Sequence, residues 1–279
     1  MTIIYPSPIF GPVHSRRLGL SLGINLLPAD GKVCTFDCIY CECGFNADHR
    51  PQLPLPRRDE VAAALEQRLQ LMAQEGRQPD VLTFAGNGEP TCHPRFADII
   101  GDTILLRDRY CPEAKVSVLS NATQLHRPDV HQALARVDNN IQKLDTVAPD
   151  YIRLVDQPAG HYDVQQVVSH LKAFHGHVII QTMFMQGWVE RKVALELRSL
   201  ATEGTQESGE WKVESVANTG DEYVLPWLDA VADIRPQQVM VYTIDRETPT
   251  TTLRKATPDQ LDRIAALVRQ RGIDCSVSY

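Results

Sequence analysis

Short apolar runs and segments with helical spacing alternate along most of this chain. Val81–Ala85 is a β-prone run that Gly86 stops, and Phe96–Tyr110 then carries apolar residues at helical spacing. About six such strand and helix units follow one another, and repeated units of this kind place their strands parallel in one sheet. The alternation therefore predicts an α/β fold, either an open doubly wound sheet or a full or partial barrel.

One segment breaks this alternation. Residues 190–201 predict an amphipathic helix, and residues 202–210 are polar and contain glycine. We expect residues 188–216 to form a polar insertion or lid within a single domain that covers residues 1–279. The remaining predicted elements are, in chain order, a strand within 13–28, a helix at 59–74, a strand at 81–85, a helix at 96–110, a strand at 115–119, a helix at 127–137, a strand at 140–144, a helix at 164–174, strands at 178–184 and 239–244, and a last helix beginning at Thr257 and Pro258.

The composition bounds the compartments and partners that the chain suits. It has 279 residues, 43% of them hydrophobic, and a formal net charge of -7, which provides no basic surface for nucleic acid or anionic membranes. Met1–Pro12 has no charged start followed by an apolar run, and no apolar run in the chain is long enough to cross a membrane. We therefore expect a cytoplasmic protein without a membrane partner, whose cysteines are reduced thiols or metal ligands.

Four of the seven cysteines fall within residues 34–44, at spacings CxxxC, CxxC and CxC. Thiolates are soft ligands that suit zinc and iron-sulfur clusters. Zinc sites are usually built from two separated pairs of ligands. The spacing therefore favours a cluster that is bound by Cys34, Cys38 and Cys41 and keeps one iron without a protein ligand. A zinc site made by these three cysteines together with Cys43 is the alternative.

The CxxxCxxC loop, with an aromatic residue before its third cysteine, resembles that of the radical S-adenosylmethionine (SAM) superfamily. The sequence Gly86-Asn87-Gly88-Glu89-Pro90 after the second predicted strand is similar to the glycine-glycine-glutamate motif of that superfamily. The resemblance implies a partial (β/α)6 TIM-like barrel. The positions that match cofactor contacts of superfamily members are Tyr40, Gly86, Asn87, Gly88, Glu89, Ser120, Asn121, Lys143, Asp145 and Gln181.

The resemblance also implies a mechanism and a set of cofactors. Cys34, Cys38 and Cys41 would bind a 4Fe-4S cluster, and its open iron would bind SAM. One electron, from a donor such as flavodoxin or ferredoxin, would then cleave SAM to methionine and a 5′-deoxyadenosyl radical that abstracts hydrogen from a substrate. Tyr40 would lie near the adenine of SAM, and Cys43 and Cys92 are candidates for an additional catalytic thiol.

Within the superfamily, the chain resembles the wyosine-synthase-like group of iron-sulfur oxidoreductases, whose bacterial members have no defined activity. The similarity includes Ser15-Arg16-Arg17-Leu18-Gly19 and Tyr242-Thr243-Ile244-Asp245-Arg246. Cysteines for a second cluster, which wyosine synthases carry upstream, are not present before Cys34. We therefore expect a small-molecule, peptide or protein substrate, as in activases and maturases. Modification of a tRNA base is the alternative, and RNA is not the favoured partner.

Two further interpretations concern residues outside the motifs. Asp245 and Arg246 follow a predicted strand, so they either contact the substrate or form a structural salt bridge. His14, Arg16 and Arg17 are expected to form salt bridges around the cysteine loop, and binding of an anionic group near the site is the alternative. Cys111 and Cys275 are expected to be ordinary buried thiols.

Overall fold

The computed structural model describes residues 2–15, 18–194 and 209–279. The strands of these segments are, in chain order, β1 (Ile9–Ser15), β2 (Gly19–Ile24), β3 (Val81–Phe84), β4 (Lys115–Ser120), β5 (Asn139–Lys143), β6 (Ile179–Met183), β7 (Met185–Gln186), β8 (Trp188–Ala194), β9 (Gly209–Ser215), β10 (Gln238–Tyr242), β11 (Arg254–Lys255) and β12 (Cys275–Ser278). Their helices are α1 (Arg58–Gln74), α2 (Phe96–Tyr110), α3 (Pro128–Leu134), α4 (Pro149–Tyr151), α5 (Val164–Lys172), α6 (Asp221–Ile234) and α7 (Pro258–Gln270).

The main sheet curls into a half-barrel. Within the described ranges it has eight strands in the order β1-β2-β3-β4-β5-β6-β10-β12. The strands from β2 to β12 run parallel, and β1 pairs antiparallel with β2 at one edge. The predicted α/β fold and partial TIM-like barrel are thus confirmed.

The two faces of the sheet are occupied differently. Val116 and Val118 of β4 point to the outer face, where they join a large core with apolar residues of the helices. Ile141, Ile179 and Met240 form a small separate cluster on the inner face. Because side chains alternate between the faces of a strand, each parallel strand supplies both layers. The large core packs against the outer face of the sheet, and the concave inner face of the sheet is left for a site.

The helix ends follow local rules that the sequence carries. Thr257 caps α7 by accepting a hydrogen bond from the backbone of Gln260, whose side chain bonds back to Thr257 N. Such a capping box, with Pro258 at the first helical position, defines the start that the sequence predicted. The predicted bounds of α2 are also confirmed.

The structure corrects the prediction of a helix at residues 190–201. Residues 190–194 belong to strand β8, which pairs antiparallel with β9 from Trp188↔Ser215 to Ala194↔Gly209. This cross-strand pairing overrides the local helical spacing, because a strand gains its stability from a partner that is distant in sequence. The rest of the predicted helix, in residues 195–208, lies outside the described residues.

Several elements were missed by the sequence patterns. Among them are helix α6 and the edge strands β1 and β12 of the main sheet. Arg16 and Arg17, which were expected to form salt bridges, lie outside the described residues. In the part of the chain that is described, every helix is too short or too polar to cross a bilayer.

Candidate active site

The cysteine loop follows β2 at the carboxyl end of the parallel strands. Cys41 N donates to Cys38 O at 3.0 Å and Gly44 N donates to Cys41 O at 2.9 Å, so two consecutive turns run through residues 38–44. The Asn46 side chain fixes the start of the loop, since it accepts from Cys34 N at 3.1 Å and donates to Cys34 O at 3.2 Å. The carboxyl ends of parallel strands are the usual place of sites in such folds.

The turn of residues 86–89 lies directly against this loop. Val33 N donates to Asn87 O at 2.9 Å, and Glu89 N donates to Val33 O at 3.1 Å. Gly88 has a φ of +129°, and a Cβ atom there would lie 2.0 Å from Val33 O. Any other residue at position 88 would therefore push the turn away from the cysteine loop.

Asn87 is committed to the backbone around the turn. Its Oδ1 accepts from Tyr5 N at 2.7 Å, and its Nδ2 donates to Tyr5 O at 2.9 Å and to Pro28 O at 2.8 Å. The side chain is fully buried. Asn87 thus holds the N-terminal segment against the turn. The neighbouring Gly86 and Gly88 line a cavity on the concave side of the sheet, which is described below.

Glu89 and Asn121 connect three loops at the strand ends. Glu89 Oε2 accepts from Asn121 N at 2.6 Å, and Glu89 Oε1 accepts from Thr91 N at 3.0 Å. Asn121 Nδ2 in turn donates to Thr35 Oγ1 at 2.8 Å and contacts Cys34 Sγ at 3.6 Å. Burial raises the pKa of Glu89, and the hydrogen bonds from Asn121, Thr91 and Ser120 oppose that effect. The bridge fixes the position of Cys34 relative to the turn.

Lys143 and Asp145, which were predicted to contact SAM, bond to each other. Asp145 also accepts from the Tyr40 hydroxyl and, at 2.9 Å, from Met183 N. Lys143 Nζ lies 2.9 Å from Asp156 Oδ1 and 4.6 Å from the centre of the Tyr40 ring. Tyr40 lines the cavity, whereas Lys143 and Asp145 are not among its lining residues. The network therefore fixes the position of Tyr40, in the cysteine loop, relative to the end of β5.

Asp156 belongs to this network although the sequence motifs did not identify it. It ends a π-helical turn at Ile152–Asp156, a rare conformation that is often found at functional sites. Its backbone oxygen accepts from Asp37 N at 2.9 Å. Burial raises the pKa of Asp156 to about 6, and the Lys143 ammonium and the Cys38 thiol oppose the shift. No sequence signal links this aspartate to the loop, since its environment is created by tertiary contacts.

The environment of the thiols fits a bound metal cluster. Burial raises the pKa of Cys34 to about 12 and raises that of Cys38 as well. A bound metal ion deprotonates the thiols that coordinate it. Thiolates are the soft donors that iron-sulfur clusters take, so the residue types of the loop fit such a group. In the part of the chain described, no three His, Cys, Asp or Glu side chains form a site for a single metal ion.

Cys43 and Cys92 differ from the three expected ligands. Cys43 is buried and its thiol donates to Gly86 O at 3.4 Å, which ties the cysteine loop to the turn. A hydrogen bond with Cys43 lowers the pKa of Cys41 to about 6, against the effect of burial and with the help of Lys32. The same bond raises the pKa of Cys43. Burial raises the pKa of Cys92 to about 11. Cys111 and Cys275 are buried, as expected.

A cavity of about 480 Å³ opens on the concave side of the sheet. This volume is within the range of sites for drug-sized ligands, about 300–1,000 Å³. Predicted site residues and apolar side chains of the barrel interior both line it. The lining residues include Tyr40, Cys41, Gly86, Gly88 and Gln181 from the predicted site, and the apolar side chains of Leu18, Leu119, Ile141 and Met240.

Arg246 lies at the rim of the cavity. Its guanidinium group donates to Glu42 Oε2 at 2.5 Å and to the Tyr5 hydroxyl at 2.7 Å. These contacts connect the end of the barrel with the cysteine loop. Arg246 thus forms a structural salt bridge, which was one of the two roles that the sequence predicted for it. Asp245 also lines the cavity.

Comparison with known proteins identifies the family of this chain. A UPF0026 protein of Synechocystis is 30% identical over 196 residues, which cover 67% of this chain and 68% of the relative. The chain belongs to the UPF0026 family. A UPF0026 protein of Helicobacter pylori is 31% identical over 189 residues, and the match covers 65% of this chain and 58% of that relative. No protein-family model matches the sequence.

Solved structures show which fold this UPF0026 protein has. A radical SAM methyltransferase from Sphaerobacter thermophilus superposes with a TM-score of 0.62 at 12% identity, over 93% of this chain and 66% of that chain. SuiB of Streptococcus suis bound to S-adenosylmethionine gives a TM-score of 0.57 at 14% identity, over 93% of this chain and 47% of that chain. The fold is that of the radical SAM superfamily, as the cysteine motif indicated. This chain spans less than two thirds of either structure.

Proposed function

We propose that this protein is a radical SAM enzyme with a 4Fe-4S cluster on Cys34, Cys38 and Cys41 and S-adenosylmethionine in the adjoining cavity. One observation carries the proposal. The three-cysteine loop and the turn of residues 86–89 meet at the carboxyl edge of a half-barrel, and the Glu89–Asn121–Thr35 bridge holds them together. The match of this chain to structures of the superfamily over most of its length supports it.

Each part of the site has a role in the proposal. The reduced cluster would supply the electron that cleaves SAM into methionine and the 5′-deoxyadenosyl radical. Gly86 and Gly88 present backbone groups to the cavity, where they can approach the methionine end of SAM without obstruction by a side chain. Tyr40 and Gln181 line the same cavity and can contact the rest of the cofactor. Cys43 stays a neutral thiol that supports the loop.

The roles of six other predicted cofactor contacts are indirect in this proposal. Asn87 and Glu89 shape the turn, and Ser120 and Asn121 support Glu89 and the cysteine loop. Lys143 and Asp145 position Tyr40. These residues are all buried or nearly so, and their polar groups are engaged with protein atoms. They would orient the groups that touch the cofactor.

For the substrate, we propose a small molecule or a peptide. The structure of SuiB bound to its precursor peptide SuiA superposes with a TM-score of 0.58 at 14% identity, over 90% of this chain and 47% of that chain. The net charge of -7 disfavours RNA as the substrate. A flavodoxin or ferredoxin in the cytoplasm would be the electron donor, because reduced thiols and low-potential carriers are available there.

Product analysis tests the proposed function. The protein is reconstituted anaerobically with iron and sulfide, reduced with dithionite and incubated with SAM. We expect brown absorbance and release of 5′-deoxyadenosine and methionine by the wild type. A protein that binds zinc but no iron and sulfide would contradict the proposal, and so would a loaded protein that leaves SAM intact.

Cysteine variants give the matched controls for this test. Alanine at Cys34, Cys38 or Cys41 is expected to abolish release of 5′-deoxyadenosine, because each thiol binds one iron. C111A removes a buried thiol that lies in the outer core and should retain the product. C43A decides between the two metal sites. Retained iron supports the cluster with three ligands, whereas loss of one tightly bound zinc in C43A supports the site with four.

A further inference from the structure

Lys32 lies immediately before the cysteine loop, and its side chain is only 1% exposed. Its ammonium group donates to Gly44 O at 2.6 Å and to Asp37 Oδ1 at 3.3 Å. Its backbone N–H donates to His49 O at 2.7 Å, which fixes the start of the side chain. Because Gly44 ends the loop, the ammonium group is enclosed by the chain segment that carries the cysteines.

Gly44 O and Asp37 Oδ1, which accept from the Lys32 ammonium group, both belong to the loop that carries the cysteines. Within the described residues, Asp37 is its one ion-pair partner, and the Asp37 side chain is 27% exposed. A fully buried cation is normally paired with buried anions. The loop that encloses Lys32 carries the expected cluster ligands, whose negative charge in a bound cluster would complement this cation.

We propose that Lys32 is a positioning residue whose buried charge holds the cysteine loop closed and sets the reduction potential of the cluster. The inference rests on the proposed function. Reduction adds one negative charge to a cluster, and a nearby cation of low solvent exposure stabilises the reduced form. Charge, hydrogen bonds and exposure are the factors that set such potentials. Lys32 therefore makes the cluster easier to reduce.

The pair of Lys32 and Asp37 predicts two shifts of opposite sign. Lys32→Met keeps most of the volume of the side chain and removes its charge, so the midpoint potential of the cluster becomes more negative. Asp37→Asn removes the anion that neutralises part of the Lys32 charge, so the midpoint potential becomes more positive. Asn at position 37 still offers an oxygen to Asn46 N, which donates to Asp37 Oδ1 at 2.8 Å.

The experiment is a potentiometric titration of the reconstituted full-length chain without SAM. Iron and sulfide content is measured first, and the reduced cluster is followed by electron paramagnetic resonance. Lys32→Arg, which keeps the charge, is expected to titrate close to the wild type. Lys115→Met is the matched control, because Lys115 is 62% exposed at the amino end of β4, where its loss should leave the midpoint unchanged.

The outcomes separate this inference from the proposed function. A negative shift in K32M and a positive shift in D37N support it, as does a folded K32M that loses iron while K32R keeps it. Wild-type midpoints in fully loaded K32M and D37N overturn it and leave the proposed function intact. If K32M does not fold, D37N decides alone, since an unchanged or negative midpoint contradicts the inference. A wild type that binds no iron and sulfide overturns both proposals.

Discussion

Two buried lysines contact the cysteine loop, and their partners differ. Lys143 lies between Asp145 and Asp156, whose side chains are 1% and 4% exposed, and it also contacts Tyr40. Among the residues that the structure describes, Lys32 has one carboxylate partner, Asp37, which is partly exposed, and its ammonium group donates to Gly44 O of the cysteine loop. Lys143 thus belongs to a pocket that contains more anions than cations, whereas Lys32 is a cation with few anions around it.

This difference indicates different roles for two residues of the same type. A lysine between two buried carboxylates contributes strongly to stability, because its loss leaves two unpaired charges in a medium of low polarity. Lys32 instead has a partly exposed carboxylate partner and donates to the backbone of the loop that carries the expected cluster ligands. We therefore expect Lys143 to act on stability and Lys32 to act on the cluster.

Lys143→Met should cause the largest loss of stability. Removal of one partner of a buried ion pair typically costs about 3–5 kcal/mol, and here two carboxylates lose their cation. The measurement is denaturant unfolding of the reduced protein without cluster. Lys172→Met is the control, because Lys172 pairs with Asp233 on the surface. A loss in K143M no larger than in this control would show that the network is not structural.

Lys32→Met should destabilise the protein without cluster to a smaller extent. It leaves Gly44 O without its donor and Asp37 without its partner, at a cost of about 1–3 kcal/mol. The same unfolding measurement applies. Equal losses of unfolding free energy in K32M and K143M would contradict the difference proposed between the two lysines, since Lys32 would then contribute as much to stability as Lys143.

Tyr40→Phe tests how much the Tyr40 hydroxyl contributes to the stability of the Lys143 pocket. The substitution removes the hydroxyl that donates to Asp145, but this carboxylate keeps Lys143 and Met183 N as donors. We expect a loss of about 1 kcal/mol in the free energy of unfolding. Thermal unfolding of Y40F beside the wild type measures it. A loss as large as that of K143M would mean that Asp145 depends mainly on Tyr40.

Arg246→Met should have the smallest effect of these substitutions. Its pair with Glu42 is half-exposed, and surface salt bridges contribute about 0–1 kcal/mol. Unfolding of R246M in low and high salt checks this, because screening should remove the difference from the wild type. A larger loss of unfolding free energy that persists in high salt would show that the Arg246–Glu42 pair stabilises the cysteine loop as much as the two buried lysines do.

The sequence predicted those parts of the site that depend on local motifs. The cysteine spacing and the turn of residues 86–89 are each contained in a few residues, and the need for glycine at position 88 has a direct steric cause, since a Cβ atom there would clash with Val33 O. The contacts of Lys143 are different, because Tyr40 and Asp145 are 105 residues apart. Their pairing depends on how strands align in the barrel, so no local pattern reveals it.

The same reason explains the errors in the fold. Helices α2 and α7 were predicted because periodicity and capping are local. The segment at residues 190–194 carries a helical spacing, yet it pairs with β9 across the intervening residues. Edge strands such as β1 and β12 have one neighbour each and short apolar patterns, so their signal in the sequence is weak.

The most direct test of the central claim is the response of the reduced cluster to SAM. The claim is that Cys34, Cys38 and Cys41 hold a cluster with one iron open to the cofactor, while Cys43 is not a ligand. Electron paramagnetic resonance of the reduced wild type and of C43A should show the signal of a 4Fe-4S cluster that changes when SAM is added. A signal that SAM leaves unchanged, or a protein that holds only zinc, would contradict the claim.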